Sequence, residues 1–319
     1  VGSQKTMLLR RQYHAAMYFA FVAVLVGVSF CVKCELERQA RFVHYLRIGK
    51  CGSSTMLGWF RASSKNHFRA STIPDKEKLL DEELQRQHRR AIYDAVFPKH
   101  TGRSSFWKKS SSAQRKTPKD LASLPLFHQH AYYVDYSEDI PHQERPSYFT
   151  VMRNPVERYL SQYYYWRTLG GKFGDQVRGV RGKSLEECAG SSLSEEIFSC
   201  PLPNYITAYL CGSDPVCTSP PSHESFLLAK ANLRDMAVTG IIENLTLTTT
   251  AISHFYPAFR HLKPLAQNTV QNRNFKRKSQ EKTVDRQTRR MIEKLNKYDM
   301  ELYDLARLRL HRFEEHCLR

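Results

Sequence analysis

The sequence predicts an α/β domain, a central parallel sheet flanked by helices, preceded by one N-terminal transmembrane helix. Three observations predict it. Two apolar runs, one over 42–48 and one over 147–152, each end at a basic residue and a turn and then pass into a stretch with helical spacing. The third observation is an uncharged, mostly apolar segment from Ala15 to Val32. At 319 residues the chain is long enough for one large α/β core, and it carries no internal repeat.

The elements follow in chain order. Residues 1–14 read as a short tail, 15–32 as the membrane span and 33–41 as a short stem leading to a domain over 42–319. At 1.5 Å per residue the span reaches about 27 Å, enough for a thin bilayer. It exceeds the usual length of a signal-peptide core, and no clean small-x-small cleavage site follows. A buried core helix would not be apolar on every face at the extreme end of a chain. Lys5, Arg10 and Arg11 are balanced by Lys33, Arg38 and Arg41, so flanking charge does not set the orientation.

The first run (Phe42, Val43, Tyr45, Leu46, Ile48) ends at Gly49-Lys50, and Cys51-Gly52-Ser53-Ser54-Thr55 leads into a helix-like stretch from Met56 to Phe60. A lysine and hydroxyls gather where backbone N–H groups have no internal partner, the setting that binds anionic oxygens. It is not a Walker A loop. That pattern needs Gly six residues before the lysine and Ser or Thr directly after it, where this chain has His44 and Cys51. The second run, Ser147 to Met152, ends at Arg153; Asn154-Pro155 punctuates, and Val156 to Thr168 has helical spacing. Arg153 is then at the carboxyl end of a strand, the ligand-binding edge of open α/β sheets, with Ser161 on the following helix. Arginine offers a planar fork for a phosphate and serine one hydroxyl.

The strings Ile-Gly-Lys-Cys-Gly-Ser (48–53), Leu-Phe-His-Gln-His (126–130), Arg-Asn-Pro-Val-Glu-Arg-Tyr-Leu-Ser (153–161) and Cys-Gly-Ser-Asp-Pro-Val-Cys (211–217) resemble the glycosaminoglycan uronyl 2-O-sulfotransferases, relatives of the heparan sulfate 2-O-sulfotransferases. The resemblance runs from about residue 42 to the C-terminus, patchily through 61–125. It implies a P-loop-like sulfotransferase domain that uses 3′-phosphoadenosine-5′-phosphosulfate (PAPS) as donor, without a metal. It further implies a glycosaminoglycan acceptor, dermatan or chondroitin sulfate first and heparan sulfate second, and a single-pass type II protein of the Golgi membrane with a lumenal domain. Heparan-type relatives form trimers. A polysaccharide-binding protein without turnover is the rival from another class; the presence of both Lys50 and His130 argues against it.

Sulfuryl transfer is an in-line displacement with negative charge building on the equatorial and leaving oxygens. It needs a cation on the leaving phosphate, a base for the acceptor hydroxyl and a clamp on the nucleotide. Lys50 is the expected cation. Cys51, Gly52, Ser53, Ser54 and Thr55 are expected around the 5′-phosphosulfate, with Cys51 as a space-filling thiol. Arg153 and Ser161 are expected at the 3′-phosphate, with Arg277 and Lys278 of the basic run 273–279 as second contacts. A bare reading of that run is a solvated charge cluster. His130 is the expected base, because it matches the family's Phe-x-x-His string and a neutral imidazole accepts a proton near neutral pH. It precedes Ala131–Val134, a run that reads as strand. With thirteen histidines in the chain, spacing alone would not single it out. His128, two residues away and thus on the same face of an extended run, is a supporting acceptor contact; by the resemblance it is a heparan-type feature.

Net charge is +18 and the pI about 9.6, which calls for an acidic partner: nucleic acid, anionic membrane or sulfated polysaccharide. The anchor and the cysteine pairs disfavour nucleic acid. Cys188/Cys200 and Cys211/Cys217 are local pairs in Pro- and Ser-bearing loops, open to a disulfide or a zinc reading, though no spacing is C-x-x-C. The resemblance implies the two disulfides. Asn244-Leu245-Thr246 is a glycosylation sequon, usable in the lumen. Arg178 and Arg181, in a Gly-rich basic stretch after the cofactor helix, are expected to grip acidic sugar. Pro74 to Phe97 reads as a charged helix and 98–120 as a basic, solvated insertion. Arg158 reads as a salt-bridge residue, and Tyr163, Tyr164, Tyr165 and Trp166 mostly as core. Two helices close the chain from Thr283, with Met291, Leu295, Leu302, Tyr303, Leu305 and Leu308 as core.

Overall fold

Val43, His44, Tyr45 and Leu46 are all buried, so the strand they form (β1, Val43–Leu46) is covered on both faces, the setting of a parallel strand. The computed structural model describes residues 42–61, 67–68, 89–90, 126–137, 140, 145–168, 183–190, 200–267 and 284–318. Within them β1 is the centre of a five-stranded sheet with β2 (His67–Phe68), β3 (Leu126–Gln129), β4 (Ser147–Met152) and β5 (Val238–Ile241), in the order β2-β3-β1-β4-β5. Every pairing is parallel. Val43 faces Leu126 on one side and Ser147 on the other. From β1 the chain passes towards β2 on one flank, and from β4 it passes towards β5 on the other. That divergence opens a crevice between β1 and β4 at their carboxyl ends, where open α/β sheets bind ligands.

Neighbouring residues of a strand point to opposite faces, and both faces here are aromatic. On one, Tyr45 stacks on Phe149 with ring centroids 4.7 Å apart, and Phe60 packs beside both. On the other, His44 lies between Phe127 and Tyr148, 4.8 Å from each. The helices α1 (Ser53–Arg61), α2 (Pro155–Thr168), α3 (Leu185–Gly190), α4 (Tyr205–Cys211), α5 (His223–Asp235), α6 (Leu245–Phe255), α7 (Arg286–Leu295) and α8 (Lys297–Cys317) surround the sheet.

A second core backs α2. Val156, Tyr159, Leu160 and Tyr163 pack against Leu185, Cys188, Ala189, Cys200 and Ile292. Cys188 is bonded to Cys200, and Cys211 to Cys217. The Tyr159 hydroxyl donates to the Cys188 carbonyl (3.2 Å) and the Tyr163 hydroxyl to the Lys183 carbonyl (2.8 Å). The helix after β4 is thus held from its outer side by a disulfide-closed loop and by α7. At the start of α4, fully buried Asp299 accepts from the Ile206 and Thr207 amides and the Thr207 hydroxyl, satisfying N–H donors that α4 itself leaves unpaired. Burial pushes the Asp299 carboxyl above its ordinary range, against the pull of nearby Arg158 and those donors.

Several expectations are revised. Helix α1 begins at Ser53 rather than Met56. The strand near His130 is Leu126–Gln129 itself, and Ala131–Val134 is irregular; the Tyr133 N–H goes to the Tyr209 carbonyl of α4 (2.7 Å) instead of to a ladder. Leu302 and Tyr303 are buried and Met291, Leu295 and Leu305 half-buried, but Leu308 is 41% exposed. The inner stripe of α8 runs through Leu302, Ala306, Leu310 and Phe313, which turns Leu308 outward. Among the described residues no helix is long and apolar enough to cross a membrane, and 15–32 lies outside them. Apart from Arg89 and Arg90, the expected helix over 74–97 and the insertion over 98–120 also lie outside them.

Candidate active site

The turn after β1 is built on two left-handed residues. Lys50 has φ 66° and Gly52 φ 77°. Lysine in that region is uncommon, and holding it there costs about 1–2 kcal/mol. Left-handed residues on either side of Cys51 turn the chain sharply. The Cys51 N–H donates to the Ile48 carbonyl (3.4 Å), so the donors this concavity can offer an anion come from the rest of the turn and the start of α1. Glycine is required at Gly52, where the backbone is left-handed, and closely fitted at Gly49. A Cβ on Gly52 would come 2.5 Å from Ile242 Cδ1, and one on Gly49 would come 3.0 Å from the Tyr205 hydroxyl oxygen. The Ser53 hydroxyl donates to the Ile48 carbonyl (3.2 Å), so Ser53 offers the concavity its N–H rather than that hydroxyl proton. Ser54 is exposed and Thr55 buried. Cys51 is a buried free thiol whose pKa burial pushes up to about 12. It stays protonated and fills space, as its position in the turn suggested.

The second anchor is set by helix capping. Asn154 Oδ1 accepts from the Val156 and Glu157 amides (3.0 and 3.3 Å), and Pro155 occupies the first helical position. The Asn154 N–H donates to Glu243 Oε1, in the short turn just after β5 (2.8 Å). Arg153 therefore leaves the carboxyl end of β4 directly beside the helix start, half-buried, with Ser161 half-buried two turns along α2. One further turn along, the ring of Tyr165 receives the Lys50 ammonium, Nζ lying 3.4 Å from its centroid. A single helix thus touches the lysine of the first turn and carries Ser161 of the second, with Arg153 two residues before its start. The pairing of β1 with β4 and the Lys50–Tyr165 contact bring the first turn beside the helix that follows Arg153.

His130 lies just past β3, on the other side of β1. The parallel register pairs Tyr45 with His128, which sets Arg47 level with His130. His130 Nδ1 lies 2.9 Å from the Arg47 carbonyl, and Nε2 lies 2.9 Å from Arg47 Nη2. A carbonyl only accepts and a guanidinium only donates, so Nδ1 carries the proton and Nε2 is the basic nitrogen. His128 is half-buried on the same strand.

Arg158, expected as a salt-bridge residue, is fully buried with neutral partners instead. It donates to Gln162 Oε1 and the Leu202 carbonyl and lies over the Tyr205 ring, 4.7 Å from its centroid. Tyr205 in turn packs on Tyr209 and Tyr209 on Tyr132, with centroids 4.7 and 4.8 Å apart. This column supports Gly49 from below. Asn244 is half-buried, and its Oδ1 caps α6 by accepting from the Leu247 amide (3.1 Å). Arg178, Arg181, Arg277 and Lys278 lie outside the described residues. Among the described residues no group of three or more His, Cys, Asp or Glu side chains could hold a metal.

Arg47 and Tyr205 are not among the residues the sequence points to, and it reads Tyr165 mostly as core. Arg47 had a local signal: one charged residue inside an apolar run, at the end of a strand whose carboxyl edge was already suspected. The roles of Tyr165 and Tyr205 depend on packing alone.

The comparisons with known proteins agree with this geometry. Over 228 residues the chain is 26% identical to the human uronyl 2-sulfotransferase, covering 68% of this chain and 48% of that protein. It is 26% identical over 210 residues to mouse heparan sulfate 2-O-sulfotransferase 1, covering 61% and 55%. With the chicken heparan sulfate 2-O-sulfotransferase 1 it shares 30% identity over 131 residues, 38% of this chain and 34% of that one. The chain spans about half the length of the first two relatives. Residues 38–306 match the sulfotransferase family, a span that takes in every strand and both anchors of the crevice, and the chain belongs to that family.

Proposed function

We propose that this chain transfers a sulfuryl group from PAPS to the 2-hydroxyl of a uronic acid in dermatan or chondroitin sulfate. The observation that carries the reading is the shared crevice: α2 touches Lys50 and bears the Ser161 hydroxyl, and Arg153 stands at its start. These residues suit a nucleotide with phosphate at both ends. Backbone N–H groups of the Lys50–Gly52 turn and the start of α1 would hold the 5′ end, Arg153 and Ser161 the 3′-phosphate. PAPS, when bound, supplies an activated sulfuryl group.

The chain's own residues do the rest. Lys50, resting on Tyr165, would turn its charge from the ring face to the leaving phosphate, a stronger partner. His130 is held by its Nδ1 hydrogen bond to the Arg47 carbonyl, with Nε2 accepting from the Arg47 guanidinium. To take the acceptor proton, Nε2 exchanges the Arg47 guanidinium for the hydroxyl, and Arg47 moves aside as the imidazole becomes charged. His128 on the same strand supports the acceptor side.

The disulfides support a lumenal domain, in line with a type II Golgi anchor over 15–32 and a glycan on Asn244. A second reading, heparan sulfate as acceptor, is favoured by His128. Sulfate transfer from PAPS to desulfated dermatan, chondroitin and heparan, measured side by side, tests both. Transfer to none of the three defeats the proposal, and heparan as the best acceptor favours the second reading.

A further inference from the structure

Glu157 stands in the first turn of α2, where the helix dipole favours a carboxylate, but it also stands beside the arginine that should receive a phosphate. Its Oε2 lies 4.0 Å from Arg153 Nη2, and its Oε1 lies 2.8 Å from Arg289 Nη1 of α7. One carboxylate is thus shared between two guanidiniums, and the shorter contact belongs to Arg289. Left to itself, Glu157 would offset the charge of Arg153 and repel an incoming dianion. Held mainly by Arg289, it does less of both.

The arrangement is built, not incidental. Ile292, one turn after Arg289, is fully buried in the core that backs α2, which fixes α7 against that helix. Asp285 caps α7 by accepting from the Gln287 and Thr288 amides (2.8 and 2.9 Å), so the turn bearing Arg289 is well ordered by its own hydrogen bonds. We infer that Arg289 is a positioning residue: it draws Glu157 off Arg153 and so keeps Arg153 available for the 3′-phosphate. This rests on the proposed reading of the crevice.

The test compares two nucleotides by calorimetry: adenosine 3′,5′-bisphosphate, and adenosine 5′-phosphate, which lacks the 3′ group. The wild-type chain should prefer the bisphosphate. Arg289→Ala should weaken bisphosphate binding about two- to fivefold, the range of a half-exposed ion pair, and leave the monophosphate unchanged. Because Arg289 acts through Glu157, the Glu157→Gln/Arg289→Ala double variant should recover the bisphosphate affinity. A wild-type chain with no preference for the bisphosphate overturns the reading of the crevice and this inference with it. An intact preference in Arg289→Ala, an equal loss for both nucleotides, or a double variant no better than the single one overturns the inference alone.

Discussion

Arg47 and His130, 83 residues apart, hold each other by both nitrogens of one imidazole, the Arg47 carbonyl taking Nδ1 and its guanidinium Nε2. Register produces the pair, since β1 and β3 run parallel and level. Loss of the base in His130→Ala is expected to lower single-turnover transfer by about 10²–10⁴-fold. Arg47→Ala should cost up to about 100-fold through misorientation of the ring. Arg47→Lys should not restore it, because an ammonium lacks the planar fork. Unchanged turnover in His130→Ala would mean that another group takes the proton.

Lys50→Ala should lower kcat by about 10²–10³-fold, since the charge is used mainly as the leaving phosphate develops its own. The affinity for adenosine 3′,5′-bisphosphate should change far less. Tyr165→Phe keeps the ring face and should stay near wild type, whereas Tyr165→Leu should fall towards Lys50→Ala.

Gly52→Ala meets two penalties, the left-handed backbone and the 2.5 Å approach to Ile242. Together they predict a loss of about 2–5 kcal/mol by denaturant melting. Adding Ile242→Ala to that variant should relieve the contact but not the backbone cost, so the pair should couple in a double-mutant cycle.

The Cys51 thiol should resist iodoacetamide at pH 8 in the folded protein and react once it is denatured. Its pKa is raised from 9.0 to about 12 in the fold, so the thiol's contribution to stability is present below pH 9 and is lost as pH rises towards 12. Rapid native-state labelling of Cys51 at pH 8 would contradict the burial on which this rests.

Cys188–Cys200 and Cys211–Cys217 close loops of similar cost, with sequence separations of 12 and 6, so removing either should destabilise by about 2–3 kcal/mol. Their functional effects should differ. Only Cys188–Cys200 backs α2, so Cys188→Ser/Cys200→Ser should also weaken adenosine 3′,5′-bisphosphate binding, while the other pair should leave it unchanged at a temperature where both variants remain folded.

The two strand–turn–helix units, the cation at each strand end and the glycine between lysine and helix were all legible in the chain as written. These features are local: an apolar run, a turn residue and a helix start constrain one another within a dozen positions. What tertiary structure alone decided is which strand ends meet. Sheet order put β4 beside β1 and β3 on the other flank, and register then set Arg47 against His130. Packing of α7 on α2 brought Arg289 to Glu157 across 132 residues, and packing of α4 under the first turn set Tyr205 against Gly49. Such contacts depend on strand order and on the depth of packing between layers. Neither leaves a periodic trace in sequence, because the same apolar pattern would serve any strand order.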